Sequence, residues 1–415
     1  MLKLLSLFGL ASFLALAWAI SENRKKFPWR TVLSGVGLQI FLGFLILKTT
    51  PGQAFFKWVQ DSAVKLLGFA DEGTALVFGP MANFPLMQKV FGADNAFVFV
   101  ITVTGTIILV ASVSAALYHY GVLQKIVQGM AWVMQRVMRT SGSESLASAA
   151  NVFMGQTEAP LVVKPYLTKM TRSELLSLMT GGMATIAGGV LVAYVFMGVD
   201  AGHLLTASIM SAPAALLIAK IMLPEIEQSE TTAGAKASTE RDTINVLDAM
   251  CKGASDGMKL SLNVMAMLIA FTAAVALVNY LLFEFLTVFG WPETREKPLQ
   301  VILGYLNWPF AFLMGVPANE CFTVSQAMGE RIVLNEFIGY GTLTNSKEVL
   351  SPRAFTIGTY ALCGFANFAS IAIQIGGISA ICPERRKDLA KLGFRSMVGG
   401  VLASYTTACV AGMLI

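Results

Sequence analysis

A-N-V-F-M-G-Q-T-E-A-P, residues Ala150 to Pro160, sets an amide, a hydroxyl and a carboxylate side by side at Gln156, Thr157 and Glu158. The chain around it is apolar. An ionisable group at membrane depth is costly unless it faces a partner or a water-filled cavity, so Glu158 is a site candidate by position alone. Gly155 and Pro160 interrupt a helix there, and the freed carbonyls and amides need partners of their own. The flanking apolar runs are each too short to span, which predicts a re-entrant hairpin with a polar tip. The alternative is a cytoplasmic loop between two spans.

Composition points to a polytopic membrane protein, and the helical spacing of its apolar runs makes it all-α. Of 415 residues, 55% are hydrophobic and 13% charged, with mean hydropathy +0.65, outside the range of soluble globular domains. The net charge of +5 is scattered over short loops, which speaks for membrane topology and against nucleic-acid binding. Cys251, Cys321, Cys363, Cys382 and Cys409 show no paired or metal-type spacing. With only His119 and His203 beside them, they support neither a disulfide framework nor a zinc site.

The first apolar run, Leu4 to Ile20, is followed by S-E-N-R-K-K and not by a small-residue cleavage site. It reads as a retained span with the N-terminus outside and Arg24, Lys25, Lys26 and Arg30 in the cytoplasm. A second span ends near Leu47. From Gln53 to Ala70, apolar residues at helical spacing (Phe55, Phe56, Val59, Ala63, Leu66, Leu67) alternate with Lys57, Asp61 and Lys65, predicting an amphipathic helix on the outer surface. Ala96 to Leu117 returns the chain inside near His119, read as an interface residue. Gly121 to Arg139 repeats the amphipathic pattern on the cytoplasmic side. Lys164, Lys169 and Arg172 keep the far end of the hairpin cytoplasmic, so it enters and leaves on one side.

The next span, Leu175 to Met197, holds T-I-A-G-G-V at Thr185 to Val190, where paired glycines predict local unwinding. Leu204 to Met222 crosses back, and Pro224 to Thr243 reads as a flexible cytoplasmic connection. Met258 to Phe289 is a long outward helix. An external turn, Trp291 to Pro298, carries Glu293, Arg295, Glu296 and Lys297. Leu299 to Val316 contains Pro309 and reads as interfacial or re-entrant. Asn319 and Glu320 suggest a cap or gate contact at the start of a hairpin. A second polar triplet follows at Asn335, Glu336 and Phe337, then a broken span with C-G-F-A-N-F-A-S at Cys363 to Ser370. The basic loop Glu384 to Lys391 is cytoplasmic, and Ser396 to Ile415 takes the C-terminus outside.

The two halves match in order: a hairpin carrying a carboxylate, Glu158 or Glu336, and then an interrupted span. An odd number of crossings lies between the hairpins, which makes the second set upside down. Inverted repeats with broken helices are the build of secondary transporters, with substrate held where the interruptions converge. The division that follows has scaffold helices and an external amphipathic helix in 1–118, a first transport repeat in 119–223 and a linker in 224–247. A long scaffold helix with its external turn occupies 248–298, and a second transport repeat 299–415.

G-Q-T-E-A-P at Gly155 to Pro160, A-G-G-V at Ala187 to Val190, N-E-F at Asn335 to Phe337, and C-G-F-A-N with Ser370 together resemble the concentrative nucleoside transporters in their bacterial form. The similarity runs over essentially the whole chain. It implies a homotrimer in the bacterial inner membrane, each protomer with eight transmembrane helices, interfacial helices and two opposed re-entrant hairpins. It further implies symport of nucleosides such as uridine, cytidine or adenosine with sodium as coupling ion, and no other cofactor. By the resemblance, Gln156, Thr157, Glu158 and Val190 face the nucleobase. Glu336, Asn367 and Ser370 hold the ribose, with Phe365 nearby. Sodium takes Asn151, Thr157, Thr185 and the backbone carbonyls of Met154 and Ile186.

Residue chemistry is consistent with those roles. An amide answers both donors and acceptors on a base edge, and an ionised carboxylate accepts from two vicinal hydroxyls at once. Hydroxyl, amide and carbonyl oxygens suit a monovalent cation without adding charge. Two departures stand out: Thr185 replaces a serine and keeps the hydroxyl, and Ala369 replaces a residue that is often serine. Proton-coupled relatives lack an asparagine at the position of Asn151, so its presence favours sodium; a proton-coupled symporter with Glu158 or Glu336 titrating is the alternative. Taken alone, Glu158 also reads as a structural carboxylate paired to a neighbouring helix, and Asn367 and Ser370 as interhelical glue. A membrane enzyme lacks its nucleophile-base pair or metal ligands here, a channel needs no paired broken repeats, and no Walker-type loop supports ATP-driven pumping.

Overall fold

The computed structural model describes residues 1–92, 98–232, 234–236, 243–292 and 297–415, and every regular element among them is a helix. The expected span start at Ala96, part of the linker, and Glu293, Arg295 and Glu296 of the external turn lie outside the described residues. Helices α1 (Leu2–Ala19) and α2 (Trp29–Lys48) lead into α3 (Thr50–Phe78), opened by a Thr49 hydroxyl that accepts the Gly52 N–H at 3.1 Å. Helix α3 buries Val59, Ala63, Ala70 and Thr74, so the amphipathic helix expected over Gln53 to Ala70 extends to Phe78. A short α4 (Phe84–Phe91) precedes α5 (Phe99–His119) and α6 (Val122–Met138), which buries Val127, Ala131, Met134 and Met138 as one stripe. The chain bends by 76° between α5 and α6.

The first repeat then runs through α7 (Gly142–Asn151), α8 (Ala159–Val162), α9 (Arg172–Ala184), α10 (Gly188–Phe196) and α11 (Ala201–Met222). After the 42-residue α12 (Val246–Thr287), the second follows: α13 (Pro298–Leu313), α14 (Cys321–Val333), α15 (Glu336–Asn345), α16 (Pro352–Leu362), α17 (Phe368–Ile381) and α18 (Arg386–Leu414). The correspondence is helix for helix. Surface helix α6 matches α13, hairpin α7–α8 matches α14–α15, broken span α9–α10 matches α16–α17, and span α11 matches α18. The stretch from Leu299, read as interfacial or re-entrant, is thus the counterpart of α6.

Among the described residues, six helices are long and apolar enough to cross a membrane, or seven if the bent α5–α6 pair counts as one. The expected eight is not reached on those grounds, because α16 and α17 have 11 and 14 residues. Burial separates centre from rim: the span windows of α9–α10 and α11 are 89% enclosed, those of α1 and α2 only 28%, and that of α12 only 11%. Apolar side chains on the rim helices are therefore left exposed by the protomer, as on helices that cross a bilayer. Helix α12 packs on α5 through small residues. A Cβ at Gly253 would come within 2.7 Å of the Ala115 methyl, and one at Gly257 within 2.9 Å of the Ile108 Cα. This is close backbone contact of the kind small-xxx-small spacing provides in bilayers.

Both interrupted spans part where the sequence predicts, with one correction. The first break is Thr185 to Ala187, with Thr185 extended, and helix resumes at Gly188. The paired glycines start α10; they do not form the gap. Gly188 serves close approach, since its N–H donates to Phe153 O at 3.2 Å and an added Cβ would sit 3.2 Å from that oxygen. In the second break Gly364 adopts φ +121°, and a Cβ there would lie 2.6 Å from Met183 O and 2.7 Å from the Ala184 carbonyl carbon. The second break thus packs against the last turn of α9, next to the first break. The return limb of hairpin 1 is irregular, only α8 and a turn of 3-10 helix at Lys164–Tyr166, because Pro160 and Pro165 remove donors that a continuous helix needs.

Candidate functional site

Glu336 opens α15, and the preceding Asn335 caps that helix, its Oδ1 accepting the Ile338 N–H at 3.1 Å. The Glu336 carboxylate is enclosed, and both oxygens are engaged. Oε1 accepts the Tyr194 hydroxyl and Oε2 the Asn367 amide, each at 3.0 Å. Tyr194 comes from α10 of the first repeat, fully buried, with its ring edge-on to Phe337 and tilted against Tyr340. Asn367 works at both ends: its Oδ1 caps α17 through the Ser370 N–H at 2.8 Å while its Nδ2 faces the carboxylate. Charge-assisted bonds of this kind offset the cost of burying the anion, and each oxygen keeps a second lone pair for another donor.

Gln156 reaches the same place from the other repeat. Its Nε2 donates to Ser370 Oγ at 3.1 Å, and its buried Oε1 has no partner among the described residues. Helix α9 lies directly behind it. A Cβ at Gly182 would fall 2.9 Å from the Gln156 Cβ and 2.7 Å from Gln374 Nε2. Thr157 packs its methyl toward Gly377 of α17, while Val190 is buried and Phe365 half-buried at the two breaks. Glu158 stands apart. Its side chain is exposed, its Oε2 accepts the N–H of Gly155 at 3.1 Å within its own tip, and among the described residues no hydrogen bond joins it to Glu336. Of the two hairpin carboxylates, only Glu336 is walled in.

A second set of oxygens gathers at the first break. Asn151, last residue of α7, donates through Nδ2 to Ala147 O at 3.0 Å, and its buried Oδ1 has no partner among the described residues. Its Nδ2 would lie 3.0 Å from a Cβ at Gly181, so the glycine makes the room it occupies. The Thr185 hydroxyl turns onto Gly181 O at 2.8 Å. Met154 follows directly in the hairpin tip, and Ile186 is buried in the break. Amide, hydroxyl and backbone oxygens without a carboxylate are the donor set a monovalent cation takes.

Sequence models of known families match in three blocks: the C-terminal part of sodium-dependent nucleoside transporters over residues 203–412, their N-terminal part over 8–81, and a nucleoside-recognition Gate over 100–201. The uncharacterized transporter YutK of Bacillus subtilis is 38% identical over 410 residues, 99% of this chain and 98% of its own. The chain belongs to the concentrative nucleoside transporter family. Mouse solute carrier family 28 member 3 is 40% identical over 99% of this chain, which spans 59% of that relative's length. CNTnw in an inward-facing substrate-bound state superposes with TM-score 0.93 at 37% identity, covering 100% of this chain and 98% of its own. A substituted CNTnw in an outward-facing state gives 0.92 at 36%, with the same coverage. Members of the family are transporters and not enzymes, and CNTnw is known in both inward-facing and outward-facing states.

Several polar groups of this transporter escape a reading by sequence. Tyr194 follows Val190 by one helical turn, so it shares that residue's face; this was the available signal. Lys220 lies inside an apolar run and is buried against Glu144 Oε2 at 2.7 Å, Glu225 Oε2 at 3.1 Å and Ser173 Oγ at 2.9 Å. A lone lysine in a span calls for such partners. Glu320, by contrast, reads from the sequence as a cap or gate contact at the start of hairpin 2; it accepts both the N–H and the hydroxyl of Ser351 at 2.8 Å and so ties the hairpin to α16. The described part of the linker is also not loose. Thr231 O accepts the Gly142 N–H at 2.9 Å, and Ser229 donates to Glu174 Oε1 at 2.6 Å.

Proposed function

We propose that this chain is a sodium-coupled symporter that carries nucleosides into the cell, as a homotrimer in the bacterial inner membrane with both termini outside. The enclosed Glu336 carboxylate, approached by Tyr194 and Asn367 and flanked by Gln156 on Ser370, is the observation that carries this reading. Vicinal ribose hydroxyls donate to Glu336 and meet Asn367 and Ser370. Gln156 exchanges its bond to Ser370 for the base edge, which uses its unpartnered Oε1. Thr157, Glu158 and Val190 complete the base side, and Phe365 packs beside the sugar. Uridine, cytidine and adenosine fit this donor and acceptor set.

Sodium, as the co-transported substrate, sits among Asn151, Thr157, Thr185 and the carbonyls of Met154 and Ile186. The orphaned Asn151 Oδ1 supports a cation there and favours sodium over a proton. Because Thr157 and Gln156 share one hairpin tip, filling the cation site steadies the group that reads the base, which couples the two sites. The repeats 119–223 and 299–415 move as the transport part against a scaffold of 1–118 and 248–298, joined by the linker 224–247. Uptake of labelled uridine and adenosine into liposomes decides between coupling ions. An imposed sodium gradient drives accumulation, whereas accumulation with a proton gradient alone contradicts the proposal.

A further inference from the structure

Arg331 of α14 is fully buried, one of the largest enclosed side chains in the molecule. A guanidinium inside a membrane protein is costly unless it is paired, yet among the described residues it makes no salt bridge. Its hydrogen bonds go to oxygens at the second break. Nη1 donates to Ala361 O at 2.6 Å, in the last turn of α16, and Nη2 to Ser404 Oγ at 3.2 Å. That hydroxyl donates in turn to Cys363 O at 2.8 Å, just past the helix end. Tyr340 donates to Thr359 O at 3.0 Å, while Nε of Arg331 has no partner among the described residues. Terminal carbonyls lack intrahelical partners and carry the negative end of the helix dipole, which is where a cation is best placed.

The first repeat has the same arrangement without such a side chain. There α9 ends beside the hairpin helix α7, and the residue that α7 offers is Asn151, with a buried oxygen lacking any partner. In the inverted repeat α7 corresponds to α14 and α9 to α16. Asn151 and Arg331 therefore both project from the first helix of a hairpin toward the break of the span that follows. We infer that Arg331 is a tethered cation doing for the second break what an exchangeable cation does for the first, so that the chain carries a single exchangeable cation site. The inference rests on the sodium-coupled reading above. Arg331 acts as a positioning residue: it fixes the break from which Asn367 reaches Glu336.

The test reads sodium binding with no nucleoside present: the thermal midpoint of the purified protein, titrated with sodium chloride against choline chloride. Wild type and Arg331→Lys should give one-site curves. Arg331→Ser should unfold earlier in choline, and its midpoint should climb more steeply with the logarithm of sodium concentration, the linkage slope rising from about one ion to about two as the emptied oxygens take a second ion. A wild-type curve for Arg331→Ser, or a two-ion curve for wild type, overturns the inference. Should Arg331→Ser not fold, the lysine variant decides: a one-site curve supports a requirement for charge, and failure of that variant as well overturns it. Since no nucleoside enters the measurement, a wild type that moves no uridine would sink the proposed function and leave this result readable.

Discussion

Glu336 can be changed to glutamine without changing its shape, and the consequence is sharp. The amide offers one oxygen, but Tyr194 and Asn367 both point donors at the side chain, so one of them loses its acceptor. The charge that ribose hydroxyls would meet is lost as well. Glu336→Gln should therefore cut uridine uptake by at least about a hundredfold, at roughly 1.5–3 kcal/mol per charge-assisted bond, while the purified protein elutes as wild type on size exclusion. Uptake near wild type would refute the ribose assignment. Tyr194→Phe removes one donor and leaves the charge, so KM for uridine should rise about tenfold with little change in thermal midpoint. Glu336 and Gln156 stand out as polar groups in an apolar setting, whereas Asn367 draws its role from the family resemblance. Tyr194 was not legible, since a tyrosine in such a run reads as packing and only the fold supplies its acceptor.

Helices and their interruptions were readable to the extent that they rest on local chemistry. Capping by Asn335 and Asn367 is a local matter, each turning its side chain onto an N–H three residues on. The position of the first break was not local: Gly188 is there for the Phe153 carbonyl that approaches it, a contact no window of sequence contains. Nor was the irregular return of hairpin 1 foreseen, although Pro160 and Pro165 announce it. The ion network at the far end of α7 shows what holds these elements in register. Lys220 of α11 binds Glu144 of α7 and Glu225 of the linker, and Thr171 before α9 donates to the same Glu225 at 2.8 Å. Lys220→Met strands two carboxylates, one of them deeply buried, and should cost about 3–5 kcal/mol, read as a fall in thermal midpoint. An unchanged midpoint would mean that the hairpin is held by its apolar contacts alone.

Across the whole molecule, the order of elements gave away the architecture. Two matched sets, each of surface helix, hairpin, broken span and span, could be aligned before any contact was known. What the order could not give is how the two sets meet: Gly364 of the second break packs on the last turn of α9, and Gln156 from one repeat reaches Ser370 from the other, joining the hairpin of one half to the broken span of its counterpart. Such contacts join residues more than 170 positions apart and follow from closing the repeats on each other. That closure is why cation and nucleoside should depend on one another, and the dependence must be reciprocal. The most direct test is calorimetric binding of uridine to the purified protein in sodium and in choline. The account predicts that sodium tightens uridine binding, that uridine tightens sodium binding by the same factor, and that Asn151→Ala weakens this linkage. Equal uridine affinity in sodium and choline would contradict it.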